Sequence, residues 1–212
     1  MKGEVKMLND KIPDIIIGRL PQYLRALNWL EMDGKQTTSS LELANHLGIS
    51  AAQIRKDLSQ FGGFGKQGMG YSISSLTKEL RKILHVDHSW EVALVGVGQL
   101  GIAIANYQGF QGRGFNIVMG FDSDPGKIGQ KYGNLTVQSI TGMDVAINTA
   151  GIVIAMVTVP ANQAQDVADR LVKAGVKTIL NYAPINLKVP RGTRMRVIDP
   201  VIELQRMTYD LE

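Results

Sequence analysis

The stretch VALVGVGQLG, Val92 to Gly101, is an apolar run that ends in glycines at positions 96, 98 and 101. The run reads as a buried strand and QLGIAIANYQGF as the helix after it, so the glycines fall at a strand-to-helix turn. Each has its own use there. Gly96 permits the tight turn, Gly98 lets backbone approach a pyrophosphate, and Gly101 lets the helix pack close to its strand. The helix N-terminus adds free N–H groups and a partial positive charge. Asp122 lies twenty-one residues beyond Gly101, at the end of the next apolar segment FNIVMGFD. There a carboxylate accepts from adenosine ribose hydroxyls and repels an added phosphate, which favours NAD(H), as NADH or NAD⁺, over NADP(H). The candidate cofactor residues are Gly96, Val97, Gly98, Gln99, Leu100, Gly101, Asp122 and Lys127. Thr158, Pro160, Asn181, Ala183 and Pro184, at two later strand ends, are candidates for a nicotinamide pocket. The bland alternatives are a ligand-free turn at the glycines and ordinary turns at the later strand ends.

From Trp90 onward the pattern alternates: strands EVALVGV, FNIVMGFD, NLTVQS, IVIAMVTV, KTILNYAP and RMRVID, with helices QLGIAIANYQGF and ANQAQDVADRLVKAG between them. Strands separated by helices predict an α/β fold with a parallel sheet covered on both faces. The last segment, PVIELQRMTYDLE, is amphipathic, with Val201, Leu204, Met207 and Leu211 in register.

Before Trp90 the reading is helical. RLPQYLRALNWLEM sets Leu20, Tyr23, Leu24, Leu27 and Leu30 on one face, with Pro21 suited to the first turn. TTSSLELANHLG offers Ser39 or Ser40 as a cap, a face of Leu41, Ala44 and Leu47, and Gly48 as the stop. In ISAAQIRKDLSQFGGFG, Ser50 caps a helix that buries Ile54, Leu58 and Phe61 and turns Ala51, Gln53, Arg55, Lys56 and Ser59 outward. Three helices, the last two joined by LGIS, have the spacing of a helix-turn-helix, and GGFGKQGMGYSI reads as a glycine-rich wing with Lys66 near its tip. In that reading Gln53 meets adenine edges, Arg55 and Lys56 meet guanine or phosphate, and Ser50, Ser59 and Lys66 complete the DNA-facing set. A small helical bundle that binds protein is the alternative.

Charge supports the division. Residues 1–85 carry twelve Lys/Arg against eight Asp/Glu, while residues 86–212 carry eleven of each, so the net charge of +4 lies in the first part. The chain has no cysteine, which excludes a disulfide framework, a thiolate-held iron–sulfur cluster and a Cys-ligated zinc. No apolar run reaches the ~18 residues of a membrane span, and the first segment does not read as a signal peptide, so a cytoplasmic protein is expected. Hydride-transfer catalysis needs an acid–base group near the nicotinamide. His46, His85 and His88 all precede the nucleotide segment, Tyr107 and Lys188 lack a partner pattern, and about 125 residues after the linker leave no room for a substrate domain. No catalytic residue and no metal ligand is assigned. A small NAD-dependent oxidoreductase with a helical appendage, and a nucleotide-binding interaction module, are the rival readings.

The segments RLPQYLR, QIRKDLSQFGGFGKQGMGY, VGVGQLGIAIANYQGF, FDSDPGKIG, VTVPANQAQDVADRL and LNYAPINLKVP, in this order from about Ile12 to the end, resemble the Rex family of redox-sensing transcriptional repressors. The resemblance implies a winged-helix DNA-binding domain over residues 1–85, a Rossmann NAD(H)-binding domain over 86–199 and an exchanged dimerisation helix over 200–212. It implies a homodimer that binds operator DNA at low NADH and leaves it when NADH binds as effector. It also implies a switch at Arg19, Tyr107 and Asp199, in which a carboxylate exchanges partners. Gln60, Gln67, Ile102 and Pro200 depart from the family's usual residues.

Overall fold

Pro13 starts the first helix, α1 (Asp14–Met32), in a computed structural model that describes residues 12–66 and 70–211. Its carbonyl accepts from Ile16 and Ile17. Because DIIIG is already helical, Pro21 sits inside the helix rather than in its first turn, and leaves the Ile17 carbonyl without its usual donor. The buried stripe is Ile16, Leu20, Tyr23, Ala26, Leu27 and Leu30.

After β1 (Thr37–Thr38), α2 (Ser40–Leu47) is capped by the Ser39 hydroxyl, which accepts from Glu42 N–H, and is closed by Gly48 at φ 65°. Its buried residue is Leu43, while Leu41 is 64% exposed, contrary to the expected face. At 100° per residue Leu43 and Leu47 share a side that Leu41 does not. Helix α3 (Ala51–Ser59) is capped by Ser50 and buries Ile54, Asp57 and Leu58. Strands β2 (Gly65–Lys66) and β3 (Gly70–Ser72) form the hairpin, and β3 also pairs with β1. The hairpin tip, with Gln67, lies outside the described residues. Helix α4 (Ile73–Ile83), not anticipated from the sequence, buries Ile73, Leu76 and Leu80 and is capped by Ser72. Leu20, Tyr23, Leu27, Leu30, Leu43, Ile54, Leu58, Leu76 and Leu80 share one core. Helices α1 to α4 with the small sheet make a winged helix, within a unit spanning Met1–His88.

The second unit, Ser89–Glu212, contains β4 (Trp90–Val95), α5 (Gln99–Asn106), β5 (Phe115–Asp122), β6 (Lys131–Tyr132), β7 (Leu135–Ser139), α6 (Met143–Ala150), β8 (Ile154–Val157), α7 (Ala161–Lys173), β9 (Thr178–Asn181), β10 (Arg194–Val197) and α8 (Pro200–Thr208). The strand order is β10-β9-β8-β4-β5-β7-β6, parallel except for β6. Both faces are covered: Ala93 and Val95 of β4 join one core with Met143, Ile147, Val167 and Leu171, and Val92 and Leu94 join another with Ile104 and Leu135. Helix α6 was also unanticipated from the sequence. The chain leaves β4 toward β5 and later crosses to β8 on its other side, so the strand order reverses at β4 and opens a crevice at the carboxyl ends there. Pro200 occupies the first turn of α8, where its fixed φ suits the helix. Among the described residues no helix is long and apolar enough to cross a membrane.

Candidate nucleotide and nucleic-acid sites

The glycine turn follows β4 at that crevice. Gly96 has φ 92°, and a Cβ there would lie 2.8 Å from the backbone carbon of Thr158. A Cβ on Gly101 would run into the Gly96 carbonyl. These two glycines are required by the protein's own packing. Gly98 is different: its φ is −79°, open to any residue, and a Cβ there would meet nothing within 4 Å. It leaves bare backbone facing open space at the start of α5, whose first N–H groups no capping side chain takes. This cradle fits a dinucleotide's phosphates.

Asp122 ends β5 and is 7% exposed. Its carboxylate accepts from Val97 N–H at 2.7 Å, Asp124 N–H at 2.9 Å and Lys127 Nζ at 3.1 Å. Burial pushes its pKa up, and the bonds from Asp124, Val97 and Lys127 outweigh that, so it lies below the ordinary carboxylate range. Asp122 therefore braces the glycine turn directly. Within the expected cofactor set, the Val97 side chain is fully buried and its N–H is given to Asp122. Lys127 is held by Asp122, while Gln99 and Leu100 are exposed at the first turn of α5.

At the neighbouring strand ends, the Thr158 hydroxyl lies 2.5 Å from the Gly96 carbonyl oxygen and 3.1 Å from that of Val95, tying β8 to the turn. Asn181 ends β9. Its fully buried amide donates to the Ala183 and Ile185 carbonyls, both at 3.0 Å, and accepts from Ala183 N–H at 2.9 Å. It shapes the turn after β9. Ala183 is buried, whereas Pro160 and Pro184 are exposed.

Tyr107 stands at the opposite end of α5. Its ring packs edge-on to Phe110 at 5.3 Å, over a position where Gly109 leaves room for it. With Phe110, Phe115, Ile117 and Leu135 it lines a cavity of about 580 Å³ at the amino ends of the strands, away from the crevice. The Asp199 carboxylate caps α8 through Val201 N–H at 2.9 Å. Among the described residues no hydrogen bond joins Tyr107 to Asp199.

In the first unit, Arg55, Lys56 and Ser59 are exposed on α3 as expected, and Arg55 reaches Ser40 Oγ of α2 at 2.9 Å. The Ser59 hydroxyl donates to the Lys56 carbonyl, and Ser50 serves as the cap. Lys66 lies on β2 of the hairpin. Gln53 is only half open, because its Nε2 donates to Asp57 Oδ1 at 2.7 Å. Asp57 was missed in the sequence. It also takes Arg19 through two bonds, 2.6 and 2.7 Å, and the Tyr23 hydroxyl at 2.5 Å. Its signal was an acid between Ile54 and Leu58, on the face the helical period turns inward.

Two family models match: "Putative DNA-binding protein N-terminus" over residues 11–59, and "CoA binding domain" over residues 87–185. A redox-sensing transcriptional repressor Rex of Chloroflexus aurantiacus is 52% identical over 203 residues, 96% of each chain. One of Roseiflexus sp. is 51% identical over 94% of this chain and 90% of its own. Among solved structures, RSP in complex with β-NAD⁺ and operator DNA matches with a TM-score of 0.89, 39% identity, and coverage of 95% of this chain and 93% of that one. RSP in complex with β-NADH matches at 0.86 and 37%, over 94% of each chain.

Proposed function

This chain belongs to the Rex family of redox-sensing transcriptional repressors, and from that premise we propose that it is an NADH-responsive repressor, binding operator DNA when NADH is scarce and dissociating when NADH binds. It is a regulator and not an enzyme, as its relatives are named. The observation that carries the reading is the pairing of a winged helix with an empty-backed Gly98 turn in one chain. Gly96, Gly98, Gln99, Leu100 and Gly101 would hold the pyrophosphate, and Asp122 with Lys127 would meet the adenosine ribose. Thr158, Pro160, Ala183 and Pro184 would border the nicotinamide with no carboxylate among them. That environment favours the uncharged reduced ring over the cationic oxidised one.

Bound NADH supplies no chemistry here; it is read by its differential affinity for two states of the protein. Arg55, Lys56, Ser50, Ser59 and Lys66 face the operator, with Gln53 beside them. The protein acts in the cytoplasm as a homodimer joined through α8, whose Val201, Leu204 and Met207 are each more than half exposed in the single chain. Arg19, Tyr107 and Asp199 carry the exchange that couples ligand to DNA.

The test is fluorescence anisotropy on a palindromic operator duplex at fixed salt, titrated with NADH and then NAD⁺. Release by NADH and much less by NAD⁺ is expected. Binding that lacks both salt sensitivity and sequence dependence would overturn the reading.

A further inference from the structure

Asp57 has no part in the expected DNA-facing set, yet it is the most heavily bonded side chain of the reading helix. It is fully buried and receives four hydrogen bonds: Arg19 Nε at 2.6 Å, Arg19 Nη2 at 2.7 Å, the Tyr23 hydroxyl at 2.5 Å and Gln53 Nε2 at 2.7 Å. That fills the acceptor capacity of a carboxylate, about four sites. Arg19 and Tyr23 are one turn apart on α1, and Gln53 is one turn before Asp57 on α3. The carboxylate is thus a bolt between two helices that also holds one residue of the outer surface.

We propose, resting on the repressor reading, that Asp57, itself pinned by Arg19 and Tyr23, is a positioning residue for operator recognition: it fixes the orientation of the Gln53 amide. Adhesion alone does not account for a carboxylate here, because well-packed apolar side chains hold helices together at least as well as a buried ion pair. What the ion pair adds is geometry. A planar guanidinium taken through two bonds sets angle and register together. For Gln53 the consequence is chemical. A surface glutamine can exchange its oxygen and nitrogen by a flip, but with Nε2 held by Asp57 the flipped form would set Oε1 against Oδ1, two acceptors with no proton between them. The carbonyl oxygen and one remaining N–H are therefore offered to a base edge in a fixed order, the order that sequence discrimination in the major groove requires.

The test uses the full-length protein and anisotropy on the operator and on duplexes substituted at each half-site position in turn. Gln53→Ala should flatten discrimination at the base that Gln53 meets. Asp57→Ala, which leaves no acceptor for Gln53, should flatten the same position, by about fivefold or more, with the salt slope unchanged. The double variant should lose nothing further there. A merely structural Asp57 would give a different result: Asp57→Ala would weaken all duplexes equally, or add its full loss in the Gln53→Ala background, and either outcome overturns the inference. If Asp57→Ala does not give a native circular-dichroism spectrum, Tyr23→Phe removes one donor and keeps the ring. It should lower discrimination at that same position, and unchanged discrimination overturns the inference. A wild-type protein that fails to distinguish any duplex overturns the repressor reading instead.

Discussion

Asp57 in the first unit and Asp122 in the second are both buried carboxylates held below the ordinary carboxylate range, but their donors differ in kind. In each, burial pushes the pKa up and hydrogen bonds outweigh it. Asp57 is bonded entirely by side chains, two of them on another helix. Asp122 takes two backbone N–H groups and one lysine, the farthest donor in sequence being the glycine turn it braces. The first arrangement fixes how two elements meet, and the second fixes how one loop is bent. A side-chain clamp fails as a whole when its acceptor is removed, because a guanidinium is left beside the core. Of the backbone donors to Asp122 the Val97 N–H is buried and would be left unpaired, but a backbone donor carries no formal charge to strand.

The comparison breaks most readily at Asp57. Asp57→Ala should cost the first unit about 3 kcal/mol, the scale of a buried pair that has lost one partner, in denaturant titrations of the whole protein. A loss within about 0.5 kcal/mol, as for an ordinary surface substitution, would mean the network is decorative. Acid should expose the same term. Because folding lowers the pKa of Asp57, its contribution is present above the unfolded-state value, about 3.9, and is lost as the pH falls through the lower folded value. The wild-type stability curve should therefore drop more steeply below about pH 4 than that of Asp57→Ala.

Asp122→Ala should cost the second unit less, about 1–2 kcal/mol, since Val97 and Asp124 lose a brace without stranding a charge in the core. It should also weaken NADH binding in a fluorescence titration and leave operator binding in the absence of NADH intact. Unchanged NADH affinity would remove Asp122 from the cofactor site, and a stability loss equal to that at Asp57 would erase the distinction between the two clamps.

Asp122 was legible in the sequence and the partners of Asp57 on α1 were not, and the reason is physical. The nucleotide turn is local: strand, three glycines, helix and an acid at fixed offset can all be read along the chain, and the parallel sheet follows from the alternation of strands and helices. Two of Asp57's three partners lie 34 and 38 residues away on α1, and no short-range pattern marks them. The same limit hid the inward bonds of Asn181 and Val97. Each occupies the position a ligand contact would, but its hydrogen bonds turn inward, which only the folded backbone reveals. Two other misses were of a different sort. Helix α4, with Ile73, Leu76 and Leu80 at helical spacing behind a serine cap, was fully written in the sequence, and so was the turn of α2 that buries Leu43 rather than Leu41.

The finest test separates packing from ligand binding at the glycine turn itself. Gly101→Ala sets a methyl group against the Gly96 carbonyl, and Gly96→Ala adds a side chain at φ 92°, so loss of NADH binding in either could simply report a broken turn. Gly98→Ala carries no such ambiguity. Its backbone, at φ −79°, suits alanine, and the added methyl meets no protein atom within 4 Å. Thermal stability should therefore be unchanged or higher by about 0.4–1 kcal/mol, because alanine narrows the unfolded ensemble. NADH affinity should nonetheless fall, since the methyl occupies the space a pyrophosphate needs beside bare backbone. Operator binding by Gly98→Ala should then persist at NADH concentrations that release the wild type. A variant that is fully stable and still binds NADH like the wild type would place the dinucleotide elsewhere, and would leave Gly98 as the one glycine of the three with no reason on either side of the turn.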